Sequence, residues 1–469
     1  MDLLYGDRTR ILEFFHSHGI LVDPRALEII LHRNAGPLIE NMLTDPVVSQ
    51  GYLSESDILD VLRNGIKQDD SRFEINFPDI KVRSSVDDFR GYFVSRYSKL
   101  KRIIALSSAM RGSIPIKLAK RSQGEVKIIG MVSEVSTTVN GHRKITIEDM
   151  EDQISVILMK GKGVSRELIL QDEVIGIVGS VSQGKTPTIF VNEIVRPDVP
   201  ARIIEDTGRD PVYVASLSDI HVGSKTFRDD DFRRMISWLK SSDNDAQNVK
   251  YLILSGDVVD GIGVYPGQED DLEILNPLEQ YFKLAEYIRE IPEDITTFIM
   301  PGNHDIVRLA EPQPVFPDRI KKEFPKNAVL LPNPFNLILE GRNVLLYHGM
   351  SLNDMVELIP GLNFDTIGRA IEEMLKRRHL AIKYGGKTPL IPSQEDYHVI
   401  DTVPDIFITG HVHSHALGNY KGVRYVNSST WQSQTEYQRM MNFNPKPSIM
   451  TMFDLHSMST IVKKFQAME

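Results

Sequence analysis

Cysteine is absent from all 469 residues. No disulfide framework can form, and no thiolate metal site either. The same absence fits a reducing cytoplasm, the expected compartment. No apolar run approaches the ~20 residues that a membrane-spanning helix needs. The first ten residues, MDLLYGDRTR, carry no apolar signal-peptide core, so no membrane partner is expected. Positive charge is in deficit: 54 Lys and Arg against 64 Asp and Glu give a net charge of −10. Contact with nucleic acid must therefore come from a local basic patch. Solenoid repeats and low-complexity tracts are missing too. What is present, 41% hydrophobic and 25% charged residues, is ordinary globular composition, long enough for about two to four domains.

One pattern recurs along the second half of the chain. Residues 212–224, VYVASLSDIHVGS, open as a buried strand and end in Asp219-Ile220-His221. In extended chain, residues i and i+2 point to one side, so these two side chains can reach toward one point. A second apolar run ends in Gly256-Asp257, followed by Asp260. A third ends in Gly302-Asn303-His304-Asp305, a fourth in His348-Gly349, and a fifth in Gly410-His411-Val412-His413. Strands that repeatedly end in Asp, Asn or His beside Gly are poorly explained by core packing. Glycine there allows a sharp turn and a close approach of backbone to a site. Asp219, His221, Asp257, Asn303, His348, His411 and His413 are the candidate ligands. Their mixed oxygen and nitrogen donors suit divalent metals such as manganese, iron or zinc.

These blocks, Asp-x-His, Gly-Asp-x-x-Asp, Gly-Asn-His-Asp, a lone strand-end His and Gly-His-x-His, resemble the calcineurin-like metallophosphoesterases. The segments between them, GDVVDGIGVYPGQEDDLEI, GNHDIVRLAEPQP, YHGMSLNDM, RRHLAIKYGG, EDYHVIDTVPDIFITGHVHS and NSSTWQSQTEYQ, are similar to one branch, the small subunits of archaeal family D DNA polymerases. That resemblance runs from about residue 125 to the C-terminus. It implies an α/β (α+β) fold: a two-sheet sandwich flanked by helices, preceded by an all-β OB-fold and a small helical unit.

In chain order, residues 1–65 read as a helical docking unit. Asp23-Pro24 and Ser54-Glu55-Ser56-Asp57 are helix starts, followed by apolar faces. Residues 66–95 read as a linker. From 96 to 121 the charge turns positive, and no acid interrupts Arg96, Lys99, Lys101, Arg102, Lys117, Lys120 and Arg121. This stretch reads equally as a solvated helix face or as a contact for DNA phosphates. Runs at 127–135, 144–148, 154–159, 173–181 and 188–194 alternate like short strands between turn signals, an OB-fold within 96–200. Its one aromatic, Phe190, is too little for gripping single strands by stacking. It is therefore expected to contact protein or duplex backbone. Residues 179–186, GSVSQGKT, match the P-loop pattern, but Pro187 and a β-branched run follow where a helix is required; a hairpin is expected. Residues 201–469 are the phosphoesterase domain. Asn276-Pro277 should start one helix and 364–379 should form another. The second ends in Lys376-Arg377-Arg378-His379, which suits a helix C-terminus and could also meet DNA phosphates.

The resemblance implies two metal sites, one from Asp219, His221, Asp257 and His413, the other from Asp257, Asn303, His348 and His411, with Asp257 shared. The two divalent ions would be manganese, the family's usual activator, with Fe²⁺, Zn²⁺ or Mg²⁺ also suited. His304, beside Asn303 but projecting differently, is the candidate general acid. Asp260 and Asp305 are candidate orienters of imidazole. The implied activity is 3′→5′ exonucleolytic hydrolysis of DNA at single-stranded or mismatched 3′ ends. It would serve a large catalytic polymerase subunit, through which a sliding clamp would be met. No polymerase motif is visible here, so synthesis would reside in that partner. The alternatives are a silent scaffolding subunit and a stand-alone phosphoesterase or repair nuclease.

Overall fold

The structure, a computed structural model, describes residues 85–466 except 183, 185, 441 and 442. Before residue 85 it describes only short pieces such as Leu21–Val22 and Tyr52–Leu53. Chain packing divides the molecule into Met1–Glu74 and Ile75–Glu469. In the first unit Leu21–Val22 pairs in parallel with Tyr52–Leu53. The helical docking unit expected over 1–65 otherwise lies outside the described residues.

The second unit opens with helix α1, Val86–Ala105. Ser85 starts it with a capping box, its hydroxyl accepting from the Asp88 amide while the Asp88 carboxylate accepts from the Ser85 amide. Residues 86–95, expected as linker, are thus the first half of a helix. Its apolar face points two ways. Tyr97, Leu100 and Ile104 pack with Ile129, Val174 and Val178 of the barrel described next, whereas Tyr92 packs with Ala381 and Leu390.

The barrel comprises β1 (Gly124–Thr137), β2 (Arg143–Glu148), β3 (Gln153–Leu158), β4 (Val174–Ser182) and β5 (Thr188–Val195), closed in the order β1-β2-β3-β5-β4. Alternate residues such as Ile145, Ile147, Ile154 and Val156 fill its interior. The long β1 pairs with β4 through its first half and with β2 through its second. A register shift between Val132 and Glu134 bends it around the closure. β4 and β5 pair antiparallel from Ser182 and Thr188 onward. The P-loop-like run is therefore part of a hairpin, as expected.

The remaining chain builds two sheets. The strands are β6 (Tyr213–Leu217), β7 (Val249–Ser255), β8 (Thr296–Met300), β9 (Ala328–Leu330), β10 (Phe335–Leu339), β11 (Arg342–Leu346), β12 (Ile406–Thr409), β13 (His415–Tyr420), β14 (Val423–Ser428), β15 (Ile449–Asp454) and β16 (Thr460–Lys464). One sheet has the order β9-β8-β7-β6-β15-β16, and the other contains β13-β14-β12-β11-β10. Every residue of β6 and β12 is buried, which is why these runs are mostly apolar, with Ser216 and Thr409 the exceptions. Between the sheets the hydroxyls of Ser216 and Ser428 hydrogen-bond. Helices α2 (Asp229–Leu239) and α3 (Pro277–Glu290) cover the first sheet through Phe232, Met235, Tyr281 and Leu284. Helices α4 (Leu352–Leu358) and α5 (Gly368–Arg377) cover the second through Leu352, Met355, Ile371 and Met374. α3 starts at the Asn276 cap with Pro277 at its first position, as expected.

The helix expected over 364–379 is divided into a short 3₁₀ turn, Phe364–Thr366, and α5, which Arg378 ends with φ 51°. Most of its basic end does not face solvent. Arg377 pairs with Glu173 at 2.7 Å, Arg378 donates to the carbonyl of Asp401 at 3.1 Å, and His379 donates to Asp396 at 2.8 Å, all buried. Arg377, Arg378 and His379 are therefore not available to DNA phosphates, whereas Lys376 stays half-exposed.

Candidate metal centre

β6, β7 and β8 run parallel to one another, as do β11 and β12. Their carboxyl ends therefore lie together, and the turns that leave them carry Asp219, Asp257, Asn303, His348, His411 and His413. Five of the seven candidate ligands have left-handed backbone: Asp219 (φ 53°), His221 (54°), Asp257 (49°), His411 (71°) and His413 (48°). That region is disfavoured for any residue with a side chain and concentrates at functional sites. Two glycines permit the approach. A Cβ on Gly302 would sit 2.2 Å from Asp257 Oδ1, and one on Gly256 would sit 2.3 Å from His348 Nδ1.

The side chains meet as two groups, Asp219 with His221 and His413, all buried, and Asp257 with His348 and the half-buried His411; His221 also groups with Asp260 and the half-buried His304. In the first, the Nε2 atoms of His221 and His413 face each other at 3.0 Å, and His413 Nε2 lies 3.4 Å from Asp219 Oδ1. In the second, His348 Nε2 lies 3.3 Å from Asp257 Oδ2 and 3.1 Å from Asn303 Oδ1. Asp257 Oδ2 is also 4.0 Å from His221 Nε2, which places this one atom between the groups. Its other oxygen accepts from the His304 amide at 2.8 Å. Asp219 Oδ1 and His411 Nδ1 are buried without a hydrogen-bond partner. Buried polar atoms are normally satisfied, and converging lone pairs left open in this way fit divalent cations.

Ring orientation supports the same fit. His221 Nδ1 donates to Asp260 Oδ1 at 2.7 Å, and His348 Nδ1 donates to the Ser255 carbonyl at 2.9 Å. Both leave Nε2 turned inward. Burial, and then the neighbouring His348, push His411 down to about 3, so this ring stays neutral. Burial opposes the charge on Asp257, but the His348 and His304 rings hold its carboxyl well below the usual range.

His304 stands beside the first group, clustered with His221 and Asp260. Its Nδ1 donates to the Asp260 carbonyl at 2.7 Å, and its ring meets that of His221 edge to face at 4.7 Å. Burial opposes its protonation, yet the Asp257 and Asp260 carboxylates outweigh burial and hold it above the ordinary histidine value. Asp260 thus contacts both His221 and His304. Asp305 does not orient an imidazole. It accepts from the amides of Gly302 and Val258 and from the Tyr281 hydroxyl, and so fixes the loop backbone.

Residues not singled out from sequence complete the site. The Asn353 amide lies 2.8 Å from His411 Nε2, and the Gln438 amide lies 2.9 Å from His413 Nδ1. Asn333 Oδ1 accepts from the His348 amide at 3.0 Å. Their only signal was position: Asn353 and Gln438 lie within or beside the blocks YHGMSLNDM and NSSTWQSQTEYQ.

The basic stretch is divided. Arg96 is buried, its Nε donating to Asp396 at 2.8 Å. Lys99 pairs with Glu395 at 2.6 Å and Asp401 at 3.3 Å, and Lys120 with Asp152 at 2.6 Å. Lys117 and Arg102 reach Glu151 and Asp401 only at 3.9 and 3.7 Å and remain exposed. Lys101 lies over the Tyr97 ring, and Arg121 is exposed.

Residues 212–415 match the family model described as calcineurin-like phosphoesterase, which implies divalent metal use. A DNA polymerase II small subunit of Thermoplasma acidophilum is 62% identical over 98% of this chain and 93% of its own. One from Archaeoglobus fulgidus is 40% identical over 94% of this chain and 95% of its own. Among solved structures, a replication protein A heterotrimer bound to single-stranded DNA matches 15% of this chain and 56% of that chain. Its identity is 16% and its TM-score 0.14, too low to support any inference. At this identity and coverage, the chain belongs to the archaeal DNA polymerase II small subunits.

Proposed function

We propose that this chain is the 3′→5′ exonuclease of a two-subunit DNA polymerase, hydrolysing phosphodiester bonds at mismatched or single-stranded 3′ ends. The observation that carries this reading is Asp257 Oδ2, set between two ligand groups, a geometry suited to a shared carboxylate. Asp219, His221, Asp257 and His413 would hold one divalent ion and Asp257, Asn303, His348 and His411 the other, manganese being the expected species. Two such ions, when bound, supply an activated water and neutralise charge on the phosphoryl oxygens.

The chain's own groups do the rest. His304 Nδ1 donates to the Asp260 carbonyl, so Nε2 carries a proton to give only in the imidazolium form, which the Asp257 and Asp260 carboxylates favour against burial. It can give that proton to the leaving 3′ oxygen. Asn353 and Gln438 meet the outer nitrogens of His411 and His413. Both present the amide nitrogen, Asn353 Nδ2 and Gln438 Nε2, the Gln438 oxygen being taken by the Thr435 amide, so each donates to the outer ring nitrogen and fixes the orientation of its imidazole. Synthesis falls to the large catalytic subunit, whose docking the barrel would serve. The barrel's one aromatic, Phe190, offers no stacking row for a single strand.

Asp257→Asn tests the reading. Loss of Mn²⁺-dependent trimming of end-labelled DNA, with lowered metal content, is expected. Full trimming at wild-type metal content would remove the two-metal account.

A further inference from the structure

Beside the ligands, a cavity of about 260 Å³ opens onto His221, His304, His411 and His413. Phe364 and Phe443 line the same space. Their rings meet edge to face, centroids 5.3 Å apart and planes at 72°, and both are only half-buried. We propose that these two rings are a stacking platform for the base of the terminal nucleotide whose phosphodiester is cut. The proposal rests on the exonuclease reading and adds to it how the substrate is held.

Size sets the first constraint. Pockets for drug-sized ligands run to roughly 300–1,000 Å³, so this cavity takes about one nucleoside and excludes a base pair. A terminal nucleotide must leave its partner to enter, which a mismatched one does at least cost. Chemistry sets the second. The histidines and Asp260 are polar and face the reacting phosphate, whereas Phe364, Phe443 and Val412 offer apolar surface. Every base presents a π-face, so a phenylalanine corner accepts all four. That tolerance suits an enzyme that must remove whichever base was misplaced.

Both rings are held in place. Asn363 caps the turn bearing Phe364, its Oδ1 accepting from the amides of Asp365 and Thr366, and Phe364 packs its inner side on the core beneath α5. The Phe443 amide donates to the Gln438 carbonyl, and Gln434 donates to the Phe443 carbonyl at 2.8 Å. Gln438 is also the residue whose amide meets His413. The platform and one ligand are therefore joined through a single residue, which fixes the base relative to the phosphate.

The test compares two DNA strands, one ending in an ordinary 3′ nucleotide and one ending in a 3′ abasic residue. The full chain with Mn²⁺ is used, wild type against F364L/F443L. Leucine keeps apolar volume and removes the π-face. Unchanged melting temperature and metal content establish that the variant is folded and loaded. On the ordinary strand, kcat/KM should fall about 10- to 100-fold in the variant, the range expected for loss of one base-stacking contact. On the abasic strand, the wild type should already be slowed by a similar factor, and the variant no further. Equal losses on both strands, or no loss on either, overturn the platform and leave two rings that only pack on each other. Failure of the wild type to trim either strand overturns the exonuclease reading itself, a different result.

Discussion

Asp257 has two oxygens with two duties: one holds the His304 amide at 2.8 Å, and the other faces both histidine groups. Left-handed backbone at Asp219, His221, Asp257, His411 and His413 lets such short side chains turn back toward one point. Each such position costs on the order of 1–3 kcal/mol, and packing on both sheets sustains it. The ligand residues were legible because core packing gives an apolar strand no reason to stop, time after time, at Asp or His beside Gly. Asn353 and Gln438 were not. Uncharged amides occur everywhere, and their meaning depends on which imidazole nitrogen they meet. Replacing Asn353 with Leu should weaken metal binding by about 10- to 100-fold, read by titration of the metal-free chain; unchanged affinity would make Asn353 a mere neighbour. His304→Ala should lower turnover by ~10²–10⁴-fold with metal content unchanged. Loss of metal instead would reassign His304 as a ligand.

Among the elements, α1 departs most from its sequence reading. Its basic residues looked like one positive face, because a charge count along the chain cannot register a partner about 300 residues away. Arg96 reaches Asp396 at 2.8 Å, the Ile382 carbonyl at 2.5 Å and the Tyr92 hydroxyl at 2.8 Å, all out of water. The helix thereby fastens the barrel side of the unit to the two-sheet side. Removing one partner of a buried ion pair strands the other, so Arg96→Leu should destabilise the chain by about 3–5 kcal/mol. A stability loss from denaturant unfolding, midpoint shift times slope, of less than a third of that would contradict the role given to this pair. The same network extends from Asp396 to His398 and on to Glu311, whose carboxylate lies 3.1 Å from His398 Nε2. Burial opposes the charge on His398, but Asp396 and Glu311 outweigh it and raise its pKa to about 9. A histidine raised above its unfolded value of about 6.5 stabilises fully below that pH and loses the contribution as pH rises through about 9. Melting temperature should therefore fall between about pH 7 and 9.5, and His398→Gln should flatten that fall. An equal fall in the variant would assign it to other groups. By contrast, the barrel strands and α3 were legible almost to the residue, since period-2 alternation and the Asn276-Pro277 start are local signals.

For the whole molecule, a net charge of −10 leaves little general attraction for DNA. Of the basic residues proposed for phosphate contact, Lys101, Arg102, Lys117 and Arg121 keep exposed positions. Lys99 and Lys120 are engaged within the chain. Neutralising Lys101, Arg102 and Arg121 together should flatten the salt dependence of DNA binding by about one unit of slope per lost contact; an unchanged slope would make this a solvated face. The two-sheet architecture and its site were legible because five strand ends repeat one motif. The proposed division of labour between hydrolysis and assembly would be a property of surfaces, which no motif records. Its direct test is the double change His348→Ala and His411→Ala, which removes two of the residues proposed to hold one metal ion and leaves the barrel untouched. The variant should co-purify with the large catalytic subunit, support primer extension, and fail to trim a mismatched 3′ end. Full trimming by that complex would place the nuclease in the partner and leave this chain a scaffold.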